Sequence, residues 1–370
     1  MLEHKFNGTA FTVGIEEELM LLDPDSLDLA HGIGAVLPAI PADYEGQVKT
    51  ELFQSVLEIA TLPCADLAEA GEQLRELRSM VASVAADHGM LLGAAGTHPF
   101  ALCDDQRIVE KERYLELADE LGFIAERELI FGTHVHIGLD APDKAIYVAD
   151  GIRRYLPLML ALSANSPFWE GRDTGMQSAR TPVFRAFPRV GVPPHYGTWE
   201  IFSGRVEQMT RSGAIDDYTY LWWDVRPHPN LGTVETRIFD QANSLDDTLA
   251  FAALTQSLAH RLSRIYANGE PLFEVFWEII DDNKVRAALR GLEGRLLDLS
   301  EGAHVPATEL AARLLDELRP SAVELGCEAQ LERIAGIAEG GTGATRQLAL
   351  AAELDGDLRE LVRRAVVIGA

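Results

Sequence analysis

The sequence predicts an α+β protein in which most strands precede most helices. Between about residues 10 and 240, short apolar or alternating runs typical of strands recur among loops and a few helical stretches. From about residue 245 onward, apolar residues recur at helical spacing instead. Strands and helices that occupy separate parts of a chain favour an α+β fold. At 370 residues the chain could form one large domain or two or three smaller ones, with a sheet-rich core at about 10–240 and a helical C-terminal part at about 245–370.

The individual elements follow from the same periodicities. The predicted strands cover residues 11–22, 47–61, 91–96, 128–139, 218–225 and 232–240. The predicted helices cover residues 66–88, 143–163, 249–267, 283–299, 308–318 and 345–367. Asp66 is placed to cap the first helix, because an aspartate there can accept hydrogen bonds from free N–H groups of the first turn. The glycine-rich run at residues 339–343 is expected to link two helices.

Composition limits the classes of partner. The 370 residues are 47% hydrophobic with a mean hydropathy near zero, as in globular proteins. Subtracting 58 acidic from 32 basic residues leaves a net charge of −26, with a pI of about 4.7. A protein that binds nucleic acid or an anionic membrane needs a basic face, so we expect neither partner. An anionic ligand would need a local cluster of arginines.

Cysteine usage and the N-terminal residues favour a cytoplasmic protein. Cys64, Cys103 and Cys327 are widely separated and form neither a zinc pattern nor a disulfide framework. The first residues lack the layout of a signal peptide. The most apolar helical stretch, around residues 155–164, is too short to span a bilayer. Apolar helices in the C-terminal part leave a homo-oligomer possible.

The first predicted strand carries three consecutive carboxylates inside an apolar run. Because side chains alternate along a strand, Glu16 and Glu18 share one face and Glu17 lies on the other. Two like charges on one face of a buried strand repel each other and lose hydration, so a positive species is expected to compensate them. Mg²⁺ and Mn²⁺ prefer carboxylate oxygens and would fit this role. The alternative is a solvated edge strand with a charged outer face.

Two further predicted strands place polar groups in apolar surroundings. Glu51 and Glu58 differ in parity, so both face one site only if a bulge or turn near residues 54–55 intervenes. His134 and His136 share a face of their strand, which suits metal binding or contact with an anion. The alternative for these two is a pair of hydrogen-bonded core histidines.

The last predicted strand places Glu235 and Arg237 on one face. A structural salt bridge would explain this pair if it stood alone. Together with the carboxylates and histidines of the other strands, it indicates a sheet wall rich in acidic ligands, with an arginine positioned for phosphate.

A loop rich in proline and glycine contains Arg180, Arg185 and Arg189 at irregular spacing. This spacing is typical of a binding loop rather than of an amphipathic helix. In so acidic a protein, a local arginine cluster favours an anionic ligand such as a carboxylate or a polyphosphate. The alternative is ordinary surface charge with one or two ion pairs.

Six ordered motifs extend over about residues 10–300. They are Gly-Ile-Glu-Glu-Glu at 14–18, Glu-Ile-Ala-Thr at 58–61 preceded by Glu51, Gly-Thr-His-Pro-Phe at 96–100, Gly-Thr-His-Val-His at 132–136, Ser-Ala-Asn-Ser-Pro at 163–167 and Thr-Val-Glu-Thr-Arg at 233–237. This set resembles the glutamate–cysteine ligase type 2 family, most closely its YbdK-type carboxylate–amine ligase branch.

The resemblance implies a single catalytic domain over residues 1–370 with a glutamine-synthetase-like fold. In such a fold, a curved, mostly antiparallel sheet forms a funnel, helices pack outside, and ATP and Mg²⁺ or Mn²⁺ lie inside. The implied enzyme is an ATP-dependent ligase that phosphorylates a substrate carboxylate. An amine then attacks the acyl phosphate to form an amide.

The resemblance also implies roles for particular residues. The implied metal ligands are Glu16, Glu18, Glu58, His134 and Glu235. Arg237 is implied to stabilise the transferring phosphoryl group, and Glu51 occupies the position of a further acidic residue of the catalytic site. The remaining candidates, for contact with substrate or phosphate, are Arg180, Arg185, Arg189 and His136.

We therefore expect an ATP- and Mg²⁺-dependent ligase with small-molecule amino-acid substrates, most simply glutamate and cysteine, which would give γ-glutamylcysteine. Three alternatives remain from the residues alone. One is phosphoryl transfer to a guanidino compound on the same fold. Another is a metal-dependent hydrolase built on His134 and His136. The last is a metal- or nucleotide-binding protein that performs no reaction.

Overall fold

The computed structural model describes residues 2–369 and contains the predicted mixture of sheet and helices. Its strands are β1 (Val13–Leu22), β2 (Val48–Thr50), β3 (Val56–Ala60), β4 (Leu91–Gly93), β5 (Gly132–Gly138), β6 (Phe168–Trp169), β7 (Arg172–Asp173), β8 (Val190–Gly191), β9 (Trp222–Trp223), β10 (Val225–His228), β11 (Thr233–Asp240), β12 (Arg295–Asp298) and β13 (Ala303–Pro306). Its α-helices are α1 (Ile33–Ala39), α2 (Leu67–Asp87), α3 (Glu112–Leu121), α4 (Phe123–Glu126), α5 (Pro142–Ile152), α6 (Leu156–Ser163), α7 (Arg180–Phe184), α8 (Trp199–Arg211), α9 (Leu245–Ala267), α10 (Trp277–Arg290), α11 (Ala307–Leu325), α12 (Glu328–Gly340), α13 (Gly343–Glu353) and α14 (Leu358–Ala365).

Seven strands form one sheet in the order β10-β11-β5-β1-β3-β2, and β4 also pairs with β1. Every pairing in this sheet is antiparallel. Strand β1 is central because it is long enough to pair with β5 in its first half, β3 in its middle and β4 at its end. The expected α+β fold, with a mostly antiparallel sheet and helices packed outside, is confirmed.

One face of β1 packs into the main hydrophobic core. Val13, Ile15, Leu19 and Leu21 alternate along the strand and are all buried. Helices α2 and α9 cover this face, and the apolar stripe of α2 is buried as its periodicity predicts. Asp66 caps α2, accepting a hydrogen bond from the backbone N–H of Glu69 at 2.9 Å.

The core face of β1 also contains Glu17, whose side chain is fully buried. Arg78 of α2 donates two hydrogen bonds to it, from Nε at 2.7 Å and from Nη2 at 2.6 Å. Thr248 Oγ1 and Gln241 Nε2 donate two more, at 2.6 and 3.1 Å. The predicted alternation of the three glutamates therefore separates a structural carboxylate from the two on the opposite face.

Two predicted elements are each divided in the structure. The segment 47–61 forms β2 and β3 with a turn at residues 54–55, where one was expected if both of its glutamates were to face one site. The predicted helix 143–163 consists of α5 and α6, separated by a 3₁₀ turn at Arg153–Tyr155. Proline at residue 157 lies in the first turn of α6, where its missing N–H has no helical partner to lose.

Three predicted boundaries are wrong for local reasons. The segment 218–225 begins as a 3₁₀ turn at Tyr218–Tyr220, and β9 follows it. The helix expected over 283–299 ends at Gly291, whose φ of +50° turns the chain towards the hairpin β12–β13. The helix expected over 345–367 is interrupted at Asp355 and Gly356, which both have positive φ.

The end of the helical part returns to the sheet. The N–H of Ala94 donates to the carbonyl of Val366 at 2.9 Å, and the N–H of Ile368 donates to the carbonyl of Leu92 at 2.8 Å. Residues 366–368 thus extend along β4, next to the centre of the sheet. Among the described residues, no helix is long and apolar enough to cross a membrane.

Candidate active site

A cavity of about 360 Å³ lies against the face of the sheet opposite the main core. Its walls come from β1, β2, β3, β5, β10 and β11, with α3, α7 and the segment before β10 closing the sides. Five acidic residues line it, Glu16, Glu18, Glu51, Glu58 and Glu128. Five basic residues line it as well, Lys49, Arg113, Arg180, Arg226 and Arg237.

Strand register brings the acidic residues and histidines together. Across β1 and its neighbours, Glu18 pairs with Glu58 and Glu16 pairs with His134. Across β5 and β11, His136 pairs with Glu235. Because residues paired across strands point to the same face, four strands contribute to one polar wall.

Two groups of side chains have the spacing of a cation site. Glu16, His136 and Glu235 form one group, and Glu16, Glu58 and His134 form the other, each with ligand atoms within 4.8 Å of one another. Glu16 belongs to both groups.

The donor chemistry of these groups fits Mg²⁺ or Mn²⁺, because both are rich in carboxylate oxygen. The Nε2 atoms of His134 and His136 are buried without a hydrogen-bond partner. A bound cation would satisfy these atoms. Glu18 lies at the edge of the second group, with Oε1 3.8 Å from Nε2 of His134.

The pKa values of the carboxyls diverge across the cavity. Burial would raise the pKa of Glu16, but the charge of His136, together with the hydrogen bond from Nδ1 of His134 and its charge, holds the pKa well below its usual range. Burial likewise opposes ionisation of Glu235, and Arg226 and Arg237 hold its pKa well below the usual range. These two carboxylates are therefore charged at neutral pH.

Three other carboxyls show the opposite shift. Burial and the charge of Glu16 raise the pKa of Glu58 to about 7, although Lys49 lies 2.9 Å away. Burial and the charge of Glu58 raise the pKa of Glu51. Burial and the charge of Glu18 raise the pKa of Glu128 to about 8. The cavity therefore holds more carboxyls than its own basic side chains can keep ionised, and an added cation would favour their charged forms.

Arg237 lies between the two groups. It pairs with Glu235 through Nη1, and the same atom lies 3.5 Å from Nδ1 of His134. Burial opposes its charge, but Glu235 raises the pKa of the guanidinium above its usual value. Its Nε is buried without a partner, so a donor remains for a ligand.

The three arginines of the proline- and glycine-rich loop occupy different places. Arg180 is buried and lines the cavity. Arg185 pairs with Asp281 of α10 at 2.7 Å, and Arg189 donates to the carbonyl of Tyr220 at 3.0 Å. The structure brings only Arg180 of these three to the cavity lining.

Four charged residues of the cavity were not predicted from the sequence, namely Lys49, Arg113, Glu128 and Arg226. Arg226 lies opposite Glu235 in the β10–β11 pair and donates to it from Nε at 2.5 Å. The register of that hairpin was the only signal for it, and it could not be read before the strand boundaries were known. Glu128 precedes β5, and nothing in the sequence marks it as a residue of this cavity.

Comparison with known proteins agrees with this arrangement. The profile of the Glutamate-cysteine ligase family 2 (GCS2) matches residues 12–364. A protein of Rubrobacter xylanophilus, provisionally named glutamate–cysteine ligase 2-1, is 42% identical over 98% of this chain and 95% of its own length. A similarly named protein of Sorangium cellulosum is 40% identical over 92% of this chain and 91% of its own length.

Solved structures show the same fold at low sequence identity. The glutamate–cysteine ligase of Francisella tularensis in complex with AMP superposes with a TM-score of 0.72 at 14% identity, covering 98% of this chain and 89% of that one. A bifunctional glutathione synthetase from Pasteurella multocida gives a TM-score of 0.67 at 16% identity, covering 96% of this chain and 52% of that one.

The fold, the acidic sheet wall and these relatives define the class as an ATP-dependent ligase that joins a carboxylate to an amine. Within that class, the chain belongs to the glutamate–cysteine ligase family 2.

Proposed function

We propose that this chain condenses glutamate with cysteine to form γ-glutamylcysteine, consuming ATP through a γ-glutamyl phosphate. The observation that carries the proposal is the convergence of the two carboxylate–histidine groups and Arg237 on one face of the sheet. The names of the relatives, which are 40–42% identical over almost their whole lengths, support this pair of substrates.

We infer that Mg²⁺ or Mn²⁺ is held by Glu16, Glu18, Glu58, His134 and Glu235, with His136 as a further ligand of the first group. When bound, the cation neutralises phosphate charge and so reduces the repulsion between two anions that must approach each other. The assignment of His136 to the metal rather than to substrate follows from its place beside Glu16 and Glu235.

The protein's own side chains supply the remaining interactions. Arg237 stabilises the negative charge that develops on the transferring phosphoryl group, using the donor at Nε that has no partner within the protein. Glu51 lines the same cavity, where burial raises its pKa. A bound cation would favour its charged form, which can accept a proton from the attacking amine.

The cavity walls restrict water around the reactive intermediate. Phe184, Phe187 and Trp222 form an apolar side, and Tyr114 of α3 covers the acidic side. An acyl phosphate hydrolyses if water reaches it, so a partly enclosed cavity favours amide formation. Arg180 is the one residue of its loop that is placed to contact an anionic group of substrate or nucleotide.

The test is ADP release by purified protein with ATP and Mg²⁺, using amino acids singly and in carboxylate–amine pairs, with mass spectrometry of the products. We expect ADP and γ-glutamylcysteine with glutamate plus cysteine. Glu235→Gln should lose this activity, whereas Glu332→Ala, at an exposed ion pair with Arg319, should retain it.

Other outcomes would replace the proposal. Another productive pair would keep the reaction class and change the substrates. A phosphorylated product without an amide would indicate phosphoryl transfer to a small substrate, and turnover without ATP would indicate a hydrolase.

A further inference from the structure

A buried carboxylate that the reaction does not use lies at the end of β11. Asp240 is fully buried and accepts hydrogen bonds from the backbone N–H of Asn165 at 2.8 Å, from Ser166 Oγ at 2.6 Å and from Ser178 Oγ at 2.9 Å. A carboxylate removed from water needs such donors to remain favourable. All three are neutral, so the hydrogen bonds leave its negative charge without a directly bonded cation.

The two serines transmit this arrangement to the start of α7. Ser166 Oγ accepts a hydrogen bond from the backbone N–H of Arg180 at 3.1 Å. Ser178 Oγ lies 3.4 Å from the backbone nitrogen of Thr181, which donates to it. Because each serine hydroxyl donates its proton to Asp240, its lone pairs are left to accept from the helix. Asp240 therefore holds the backbone at Arg180 in place through the two serine hydroxyls.

The guanidinium of Arg180 is also held against β11. Its Nη2 donates to the carbonyl of Arg237 at 3.2 Å, and its Nη1 lies 3.4 Å from the carbonyl of Ile238. The charges of Asp240 and Arg180 attract each other, which offsets part of the rise that burial causes in the pKa of Asp240. The arginine is thereby kept in one place before any ligand arrives.

Two glycines of the sequence motifs make room for this network. A Cβ at Gly132 would lie 2.9 Å from Cζ of Arg180, and a Cβ at Gly96 would lie 2.9 Å from Cγ of Asp240. Both contacts are closer than carbon atoms tolerate. Gly96 and Gly132 each begin a Gly-Thr-His motif, and Ser166 belongs to the Ser-Ala-Asn-Ser-Pro motif. These three motif residues thus all help to place the side chains of Asp240 and Arg180.

Arg180 retains an unused donor. Its Nε is buried without a partner, and the side chain lines the acidic cavity beside Glu128. We propose that Asp240 is a positioning residue that acts through Ser166 and Ser178 to orient Arg180 towards an anionic group of a ligand, either a carboxylate or a phosphate. This deepens the proposed function and rests on the assignment of this cavity as its active site.

The test is a double-mutant cycle with Arg180→Met, Asp240→Asn and the double variant. Binding of two probes, ADP and glutamate, is measured by calorimetry in the presence of Mg²⁺. Loss of a charged hydrogen bond should weaken binding of one probe about tenfold or more in Arg180→Met. Asp240→Asn should weaken binding of the same probe several-fold in the wild-type background and have no further effect when Arg180 is absent. The affected probe distinguishes phosphate from carboxylate.

Asp247→Asn is the matched control. Asp247 is also buried, but its partners Arg333 and Arg346 lie on α12 and α13, away from the cavity lining. We expect it to lower the midpoint of urea unfolding without a change in either dissociation constant. If Asp240→Asn fails to fold, Ser166→Ala and Ser178→Ala take its place in the cycle. Each of these variants removes one serine hydroxyl that connects Asp240 to the backbone of α7.

Several results would overturn the proposal. An equal loss of affinity on Asp240→Asn in the presence and absence of Arg180 would show that Asp240 acts independently of the arginine. Unchanged binding of both probes in Arg180→Met, or no binding of either probe to the wild type, would also reject it. Ligase turnover is assayed on the same samples, so a coupled effect on binding without γ-glutamylcysteine formation would reject the proposed substrates and keep the positioning role.

Discussion

Replacement of Arg78 by methionine should destabilise the fold strongly, because it leaves the buried carboxylate of Glu17 without its cation. Arg78 has a relative side-chain exposure of 8% and Glu17 of 0%. The pair makes two hydrogen bonds, and Arg78 also donates to the carbonyls of Asn243 and Ala242 at 2.8 and 3.2 Å. Methionine fills much of the same volume and supplies none of these four interactions.

The expected cost follows from what remains around Glu17. The two neutral donors, Thr248 and Gln241, stay in place, so the carboxylate loses its charge partner but keeps part of its hydrogen bonding. Removing one partner of a buried ion pair costs about 3–5 kcal/mol of unfolding free energy. Burial would then dominate the pKa of Glu17, which Arg78 at present holds below its usual value against burial.

The assay is urea unfolding followed by circular dichroism, with Arg319→Met as a control. Arg319 forms exposed ion pairs with Asp316 and Glu332, and such pairs contribute about 0–1 kcal/mol. The double variant Arg78→Met with Glu17→Gln should recover part of the loss, because the unpaired charge is removed. A midpoint for Arg78→Met equal to that of Arg319→Met, or no recovery in the double variant, would refute the reasoning.

Three further predictions concern the site and its surroundings. Arg237→Ala should lower kcat about 10²–10³-fold in the ADP-release assay, because a preorganised donor to developing charge is lost. Glu16→Gln should weaken Mn²⁺ binding more than Glu58→Gln in calorimetric titrations, because Glu16 belongs to both cation-binding groups and Glu58 to one. His98 should make the protein less stable in acid. Burial lowers its pKa from 6.5 to about 4, and its Nδ1 accepts the backbone N–H of Ala101 at 2.9 Å, so a second ring proton would break that contact. Between pH 6.5 and pH 4 the unfolded chain binds a proton at His98 that the folded chain does not. The neutral imidazole therefore makes its full contribution to the free energy of unfolding above pH 6.5, and about 3 kcal/mol of that contribution is lost as the pH falls to 4.

Each of these has a result that contradicts it. Equal kcat values for Arg237→Ala and wild type would remove this arginine from the phosphoryl-transfer step. Similar Mn²⁺ affinities for Glu16→Gln and Glu58→Gln would argue against a shared ligand. For His98, unfolding midpoints are compared at pH 7 and pH 5 with His98→Asn, and an unchanged pH dependence in the variant would assign the acid sensitivity to other groups.

The sequence predicted the features that depend only on the alternation of side chains along a strand. The separation of Glu17 from Glu16 and Glu18 needs only the period of two along a strand, and the structure shows it. The turn between Glu51 and Glu58 was inferable because without it the two carboxylates could not share a cavity. The ordered motifs predicted the family and hence the sheet, since they specify combinations of residues that single elements do not.

Features that depend on register and tertiary contacts were not predictable. Arg180, Arg185 and Arg189 are alike in the sequence, yet only the first is held at the cavity, because only its backbone meets Ser166. In the sequence, nothing distinguishes Glu128 from an ordinary surface residue. In the structure it lines the cavity, where burial and the charge of Glu18 raise its pKa. Helix α10 ends at Gly291 because this residue has a positive φ, and the hydrophobic periodicity of the sequence does not predict that conformation.

The contact between residues 366–368 and β4 affects how the chain folds during synthesis. Strand β4 pairs with β1 along one edge and with this late segment along the other, so its hydrogen bonding is completed only after more than 270 further residues have been made. The pairing of β1 with β5, and of β5 with β11, also joins distant parts of the chain. A ribosome-bound fragment therefore exposes an unpaired strand edge near the centre of the sheet, and such edges favour association with other chains. Completion of this edge of β4 must follow translation of the last helices, and the exposed edge predicts a need for protection in the interval.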